Sequence, residues 1–137
     1  MNRWKNRCTA LVLCLGMGMA HAAAEAQVGF KQVRVEDAHG TGRALEVALW
    51  YPAQPAACPP EQAKQVAGNR IFEGVDVCVD APAEPGRHTA VLVSHGAFGH
   101  WGNQAWLAYA LARQGHVVAA PNHPGTTLRD RRPEQMR

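Results

Sequence analysis

The stretch VLVSHGAFGHWG, residues 91–102, decides how this chain is read. An apolar run beginning at Thr89 stops at Ser94-His95-Gly96, and two more glycines and two aromatics follow within six residues. The run TAVLVSHG does not alternate between polar and apolar, which predicts a central strand covered on both faces. Downstream, NQAWLAYALARQG sets Asn103, Leu107 and Leu111 on one helical stripe with Ala110 beside it. Gly102 or Asn103 caps the start of that helix, and Gly115 takes the left-handed position that ends it. HVVAAPNHPG is a second apolar run, stopped by Pro121 and Pro124. Strand, helix and strand, with a helix of about 12 residues, predict a right-handed parallel crossover unit.

Upstream the pattern changes. In VGFKQVRVEDAHG, Val33 and Val35 point one way and Gln32 and Arg34 the other, as in a strand exposed on one face. Turn residues from Asp37 to Gly42 end it. RALEVALWYPA then puts Leu45, Val47, Leu49 and Tyr51 on one face and Ala44, Glu46, Ala48 and Trp50 on the other, and Pro52 closes the run. The two segments predict an antiparallel pair. Residues 53–88 carry no sustained period and read as an irregular excursion, with one short strand in RIFEGVDVCVD. Residues 128–137 form a polar, charged tail with no apolar face.

The N-terminus explains the charge. The chain holds 14 Lys and Arg against 11 Asp and Glu. Arg3, Lys5 and Arg7 precede a short apolar core from Thr9 to Met19, and small residues offer cleavage after Ala22, Ala24 or Ala26. Residues 1–24 therefore read as a secretory signal peptide, with an apolar run too short to span a membrane. Leu13 ahead of Cys14 argues against a lipoprotein signal. Cleavage after Ala22 takes away three basic residues and leaves 11 of each sign, so no basic patch remains to suggest nucleic acid. The expected location is secreted or periplasmic. Cys8 and Cys14 leave with the leader, and Cys58 and Cys78 are expected to form a disulfide closing a loop of about 20 residues.

The order of these segments resembles the N-terminal part of α/β-hydrolases of the dienelactone hydrolase and platelet-activating-factor acetylhydrolase kind. The residues that carry the resemblance are the apolar strand ending in Ser94-His95-Gly96, the helix, and the strand ending APNHPGTT. It spans about residues 28–127 and is most specific over 91–127. The resemblance implies an α/β fold present only in part, and an ester hydrolase that needs no cofactor and takes a small-molecule ester, lipid-like esters included. It also implies that the turn after residue 96 supplies one main-chain N–H to an oxyanion hole. By position that donor is Ala97, with Phe98 the fallback. Gly96 lets the backbone approach the substrate oxygen, and Gly99 and Gly102 permit the tight turn. His95 shapes the turn through hydrogen bonds; Phe98 and Trp101 are candidates to line a pocket.

A nucleophile is missing from this reading. The family places Ser or Cys at the centre of a Gly-x-Ser-x-Gly or Gly-x-Cys-x-Gly elbow after a later strand. Ser94 is the single serine in the chain and sits in LVSHG, while Cys78 sits in VDVCVD, and neither context is an elbow. Nucleophile, acid and base are thus expected outside these 137 residues. His95, His100 and His123 fall near strand ends, but no His-x-x-x-His pair or carboxylate cluster accompanies them, so no metal is expected. GAFGHWG sits where an anion-binding turn belongs, yet Asn122 and His123, not an acidic residue, follow the next strand. His123 at that strand end faces the crevice as a substrate contact or ties its own loop. Two readings follow: part of an exported ester hydrolase, or a small non-catalytic α/β binding protein.

Overall fold

The computed structural model describes residues 27–37, 44–55 and 57–132. The expected signal peptide, most of the Asp37–Gly42 turn and the end of the polar tail lie outside the described residues. Strands β1 (Val28–Val35), β2 (Leu45–Pro52), β3 (Lys64–Val66), β4 (Val75–Val79), β5 (Ala90–Leu92) and β6 (Val117–Pro121) form one sheet in the order β3-β4-β1-β2-β6-β5. Helix α1 (Ala105–Arg113) connects β5 to β6.

The antiparallel pair follows from the two alternating segments. Phe30 lies opposite Trp50, and the register runs from Val28↔Pro52 to Val35↔Leu45. Ala48 and Trp50 of β2 are fully buried, while Lys31, Gln32, Arg34 and Val35 are exposed at the far end of β1. β6 joins β2 antiparallel, with Trp50 opposite Val118, and β5 joins β6 in parallel, with Leu92 opposite Ala119. The parallel strand-helix-strand unit is therefore present.

Two expectations need correction here. The helix buries Ala105, Ala108 and Ala112 fully, whereas of the stripe of Asn103, Leu107 and Leu111 only Leu111 packs against the core, half-buried. Alanine has no side chain beyond Cβ, so this face lets α1 lie close over β2 and β6, where Trp50 already fills the space. The helix start is capped neither by Gly102 nor by Asn103 alone. His100 opens a 3-10 turn (Trp101–Gln104): its Nδ1 accepts from the Gly102 N–H at 3.0 Å, and Asn103 Oδ1 accepts from the His100 N–H at 3.2 Å. The helix ends as expected. Gly115 has φ +91°, and His116 and Gly115 donate back to the carbonyls of Leu111 and Ala112 in the paired pattern of a Schellman motif.

β5 departs from its expected burial. It lies at the sheet edge, with Ala90 exposed, Val91 half-buried and Leu92 73% exposed, because only β6 pairs with it. β6 is interior. The 53–88 segment is also more regular than expected. β3 and β4 form an antiparallel hairpin, and β4 extends the sheet by pairing in parallel with β1 through Gly29↔Cys78 and Phe30↔Val79. The Cys58–Cys78 disulfide is present and ties this segment to the strand, with both residues buried.

Phe30, Trp50 and Val77 meet Val118, Ala120 and the helix alanines in the core. Phe30 and Trp50 pack edge to face at 5.1 Å between centroids, and Trp101 closes on both at 5.4 and 5.7 Å. The turn before α1 is thereby fastened to the core by an aromatic side chain.

Candidate active site

Parallel pairing brings the C-terminal ends of β5 and β6 side by side, and the Val93 N–H extends the ladder to the Ala119 carbonyl at 2.9 Å. This is the end of a parallel sheet where ligands bind in open α/β folds. Each strand delivers a polar residue two positions past its end: Ser94 from β5 and His123 from β6. Ser94 Oγ and His123 Nε2 are hydrogen-bonded at 2.7 Å.

His95 is the buried polar residue of the described chain, 7% exposed. Its Nδ1–H donates to the Gly96 carbonyl at 2.8 Å, and its Nε2 accepts from the His123 N–H at 3.2 Å. Only the neutral ring with its proton on Nδ1 satisfies both partners. The imidazole thus locks the turn after β5 to the loop after β6, and the His95 and His123 rings lie 4.8 Å apart.

The bend itself falls at Phe98, whose φ of +63° is the left-handed conformation that a bulky residue adopts at a cost of roughly 1–2 kcal/mol. Strain of this kind marks functional turns more often than plain connections. Gly99 is required beside it, since a Cβ there would lie 3.0 Å from both the Gly96 carbonyl oxygen and His95 Cβ. Around Gly96 the opposite holds: a Cβ would meet nothing within 4 Å, so its outer side is open.

These contacts sort the two candidate donors. The Phe98 N–H donates to the Thr126 carbonyl at 2.7 Å, within a bridge between Phe98 and Thr127, so the fallback donor is already engaged. Ala97 is exposed, and its N–H has no acceptor among the described residues. Trp101 is half-buried. It turns inward onto Phe30 and Trp50, and its N–H donates to Asn122 Oδ1 at 2.8 Å. Phe98 is 44% exposed and carries the Arg131 guanidinium over its ring at 4.6 Å.

The tail also behaves differently from its polar composition. Through Arg132 it folds back on the loop after β6: the Arg132 N–H donates to the Gly125 carbonyl at 2.7 Å, and Asp130 Oδ2 accepts from the Gly125 N–H at 2.8 Å. That backbone hydrogen bond, helped by the Arg132 guanidinium, holds the Asp130 carboxyl below its ordinary pKa. His100 is likewise pushed below the usual imidazole value, first by partial burial and then by His95 and Arg129. That shift favours the unprotonated Nδ1 that accepts from the Gly102 N–H in the cap.

Sequence reasoning missed Asn122 and the Ser94–His123 pair. Asn122 clips three segments together, receiving the Trp101 N–H, donating its own N–H to the Glu46 carbonyl at 2.8 Å, and reaching Glu46 Oε2 with Nδ2 at 3.4 Å. The available signal for the pair was positional, each residue being the second after a strand of the same parallel unit. Among the described residues no group of three or more His, Cys, Asp and Glu side chains is placed to hold a metal. A cavity of about 490 Å³ in the β3–β4 loop, lined by Gln65, Asn69, Arg70, Ile71, Phe72 and Glu73, brings no nucleophile next to a base.

The chain is similar in structure to a ferulic acid esterase from Streptomyces cinnamoneus, with a TM-score of 0.59 and 27% identity. The match covers 79% of this chain and 36% of the esterase. No family model matches the sequence, and no curated protein matches it in sequence. The fold is an α/β fold of the esterase kind, and the chain spans about a third of the esterase's length.

Proposed function

We propose that this chain is the oxyanion-binding part of an exported carboxylic-ester hydrolase of the dienelactone hydrolase or acetylhydrolase kind, with nucleophile, acid and base supplied by the rest of the protein. One observation carries the reading: at the open end of β5, in an esterase-like fold, a strained bend leaves the Ala97 N–H without an acceptor. A fixed backbone donor of this kind stabilises the negative oxygen of a tetrahedral intermediate without reorganising during the reaction. His95 and Asn122 hold the donor in place from below. Export is supported by the leader-like N-terminus and the buried Cys58–Cys78 disulfide, and no helix among the described residues is long and apolar enough to cross a membrane.

One structural neighbour is a ferulic acid esterase, which makes feruloyl esters the first substrates to try. The whole gene product is expected to hydrolyse p-nitrophenyl acetate and feruloyl esters. Ala97→Pro, which removes the N–H, should lower kcat roughly a hundredfold, with Ala97→Gly close to the parent. Circular dichroism on each variant separates a lost donor from a lost fold. Binding of these esters without hydrolysis supports the non-catalytic reading instead, and full activity in a folded Ala97→Pro protein removes the donor role.

A further inference from the structure

We propose that Ser94 and His123 form an acyl-accepting pair in their own right, so that this chain is acylated by activated esters without any nucleophile from the rest of the protein. The oxyanion reading uses neither side chain. The hydroxyl and the imidazole nitrogen are 2.7 Å apart, the reach at which a general base takes a proton from a nucleophile. Ser94 is exposed, so an ester can approach it. His123 is held in position through its backbone: its N–H donates to His95 Nε2 at 3.2 Å, and its carbonyl accepts from the Thr126 N–H and Oγ1–H, each at 3.1 Å. The unengaged Ala97 N–H lies three residues along from the nucleophile. A strand end here does what an elbow does elsewhere, placing a hydroxyl at the rim of the sheet.

The step balances within the pair and the ester. Ser94 Oγ forms a bond to the ester carbonyl carbon while its proton passes to His123 Nε2. The tetrahedral intermediate then collapses, the bond to the alkoxide breaks, and the alkoxide leaves with the proton from Nε2. Ser94 is left as an ester, and water attacking by the reverse route restores the hydroxyl and releases the acid.

Ser94 is the single serine among the 137 residues, so a serine label has one address. The 137-residue chain is incubated with p-nitrophenyl acetate or a fluorophosphonate, and the modified peptide is mapped by tandem mass spectrometry. The expected result is one equivalent of label on Ser94, with the labelling rate reduced at least about tenfold in Ser94→Ala and in His123→Asn. Label confined to lysine, tyrosine or histidine in the unsubstituted chain overturns the proposal without relying on any variant. An unchanged rate in folded Ser94→Ala overturns it too. Turnover by the whole gene product bears on the ester-hydrolase reading, and acylation of this chain bears on the pair, so either can fail alone.

Discussion

Trp50→Ala is expected to lower stability by about 3–5 kcal/mol, read as a shift of the urea midpoint at unchanged slope. The indole is fully buried, pairs across strands with Phe30 on β1 and Val118 on β6, and packs against Trp101 from the turn before α1. The helix face above it is built from Ala105, Ala108 and Ala112. None of these three alanines has a side chain long enough to swing in, so much of the cavity persists and the cost sits in the range of large-to-small core changes. Native domains are stable by only about 5–15 kcal/mol, so a loss of this size removes much of the margin. Trp50→Phe is the informative companion. It keeps an aromatic ring beside Phe30, and the Trp50 Nε1–H it deletes has no acceptor among the described residues. Its cost should stay below about 2 kcal/mol. A Trp50→Ala protein within about 1 kcal/mol of the parent would show that the core is not organised around this ring.

Removing the Cys58–Cys78 bridge should cost about 3 kcal/mol, the loop-closure entropy for a separation of 20 residues. Alanine is the right replacement at both positions, since each cysteine is at least 94% buried and a serine hydroxyl there would need a partner. The loss should not fall evenly. β4 meets β1 through two residue pairs, and β3 meets only β4, so the β3–β4 hairpin depends on the bridge more than any other element. Amide exchange in the Cys58→Ala/Cys78→Ala protein should speed up over residues 64–79 before it does in β2 or β6. Equal stability with and without the bridge would mean that the hairpin is held by its strand pairing and by packing of Val66, Val75 and Val77.

What the sequence disclosed and what it concealed divide along physical lines. The antiparallel pair, the parallel strand-helix-strand unit, Gly115 and the cysteine pairing were legible because each depends on local period, a left-handed backbone position or a cysteine count. The buried face of α1 was not, because a hydrophobic stripe argument weights leucine over alanine, while close approach of a helix to a sheet favours alanine. β4 was legible as a short strand in RIFEGVDVCVD, but its hairpin partner β3, only three residues long, was not, and neither was the pairing of β4 with β1 some 49 residues upstream. Of the site, the turn after Gly96 could be located from its glycines, and Ala97 could be named from the resemblance. Which of two adjacent amides is engaged could not be read, since the acceptor, Thr126, lies on a different loop. Ser94 was set aside for lacking an elbow, and its contact with His123 arises from parallel register across 29 residues.

The oxyanion reading rests on one amide being unoccupied and its neighbour not. Hydrogen exchange measured residue by residue on the isotopically labelled chain tests that directly. The account predicts that the Ala97 amide exchanges near the rate of an unstructured peptide, while Phe98, bonded to the Thr126 carbonyl at 2.7 Å, is slower by at least about a hundredfold. Strong protection at Ala97, equal to that of Phe98, would contradict it.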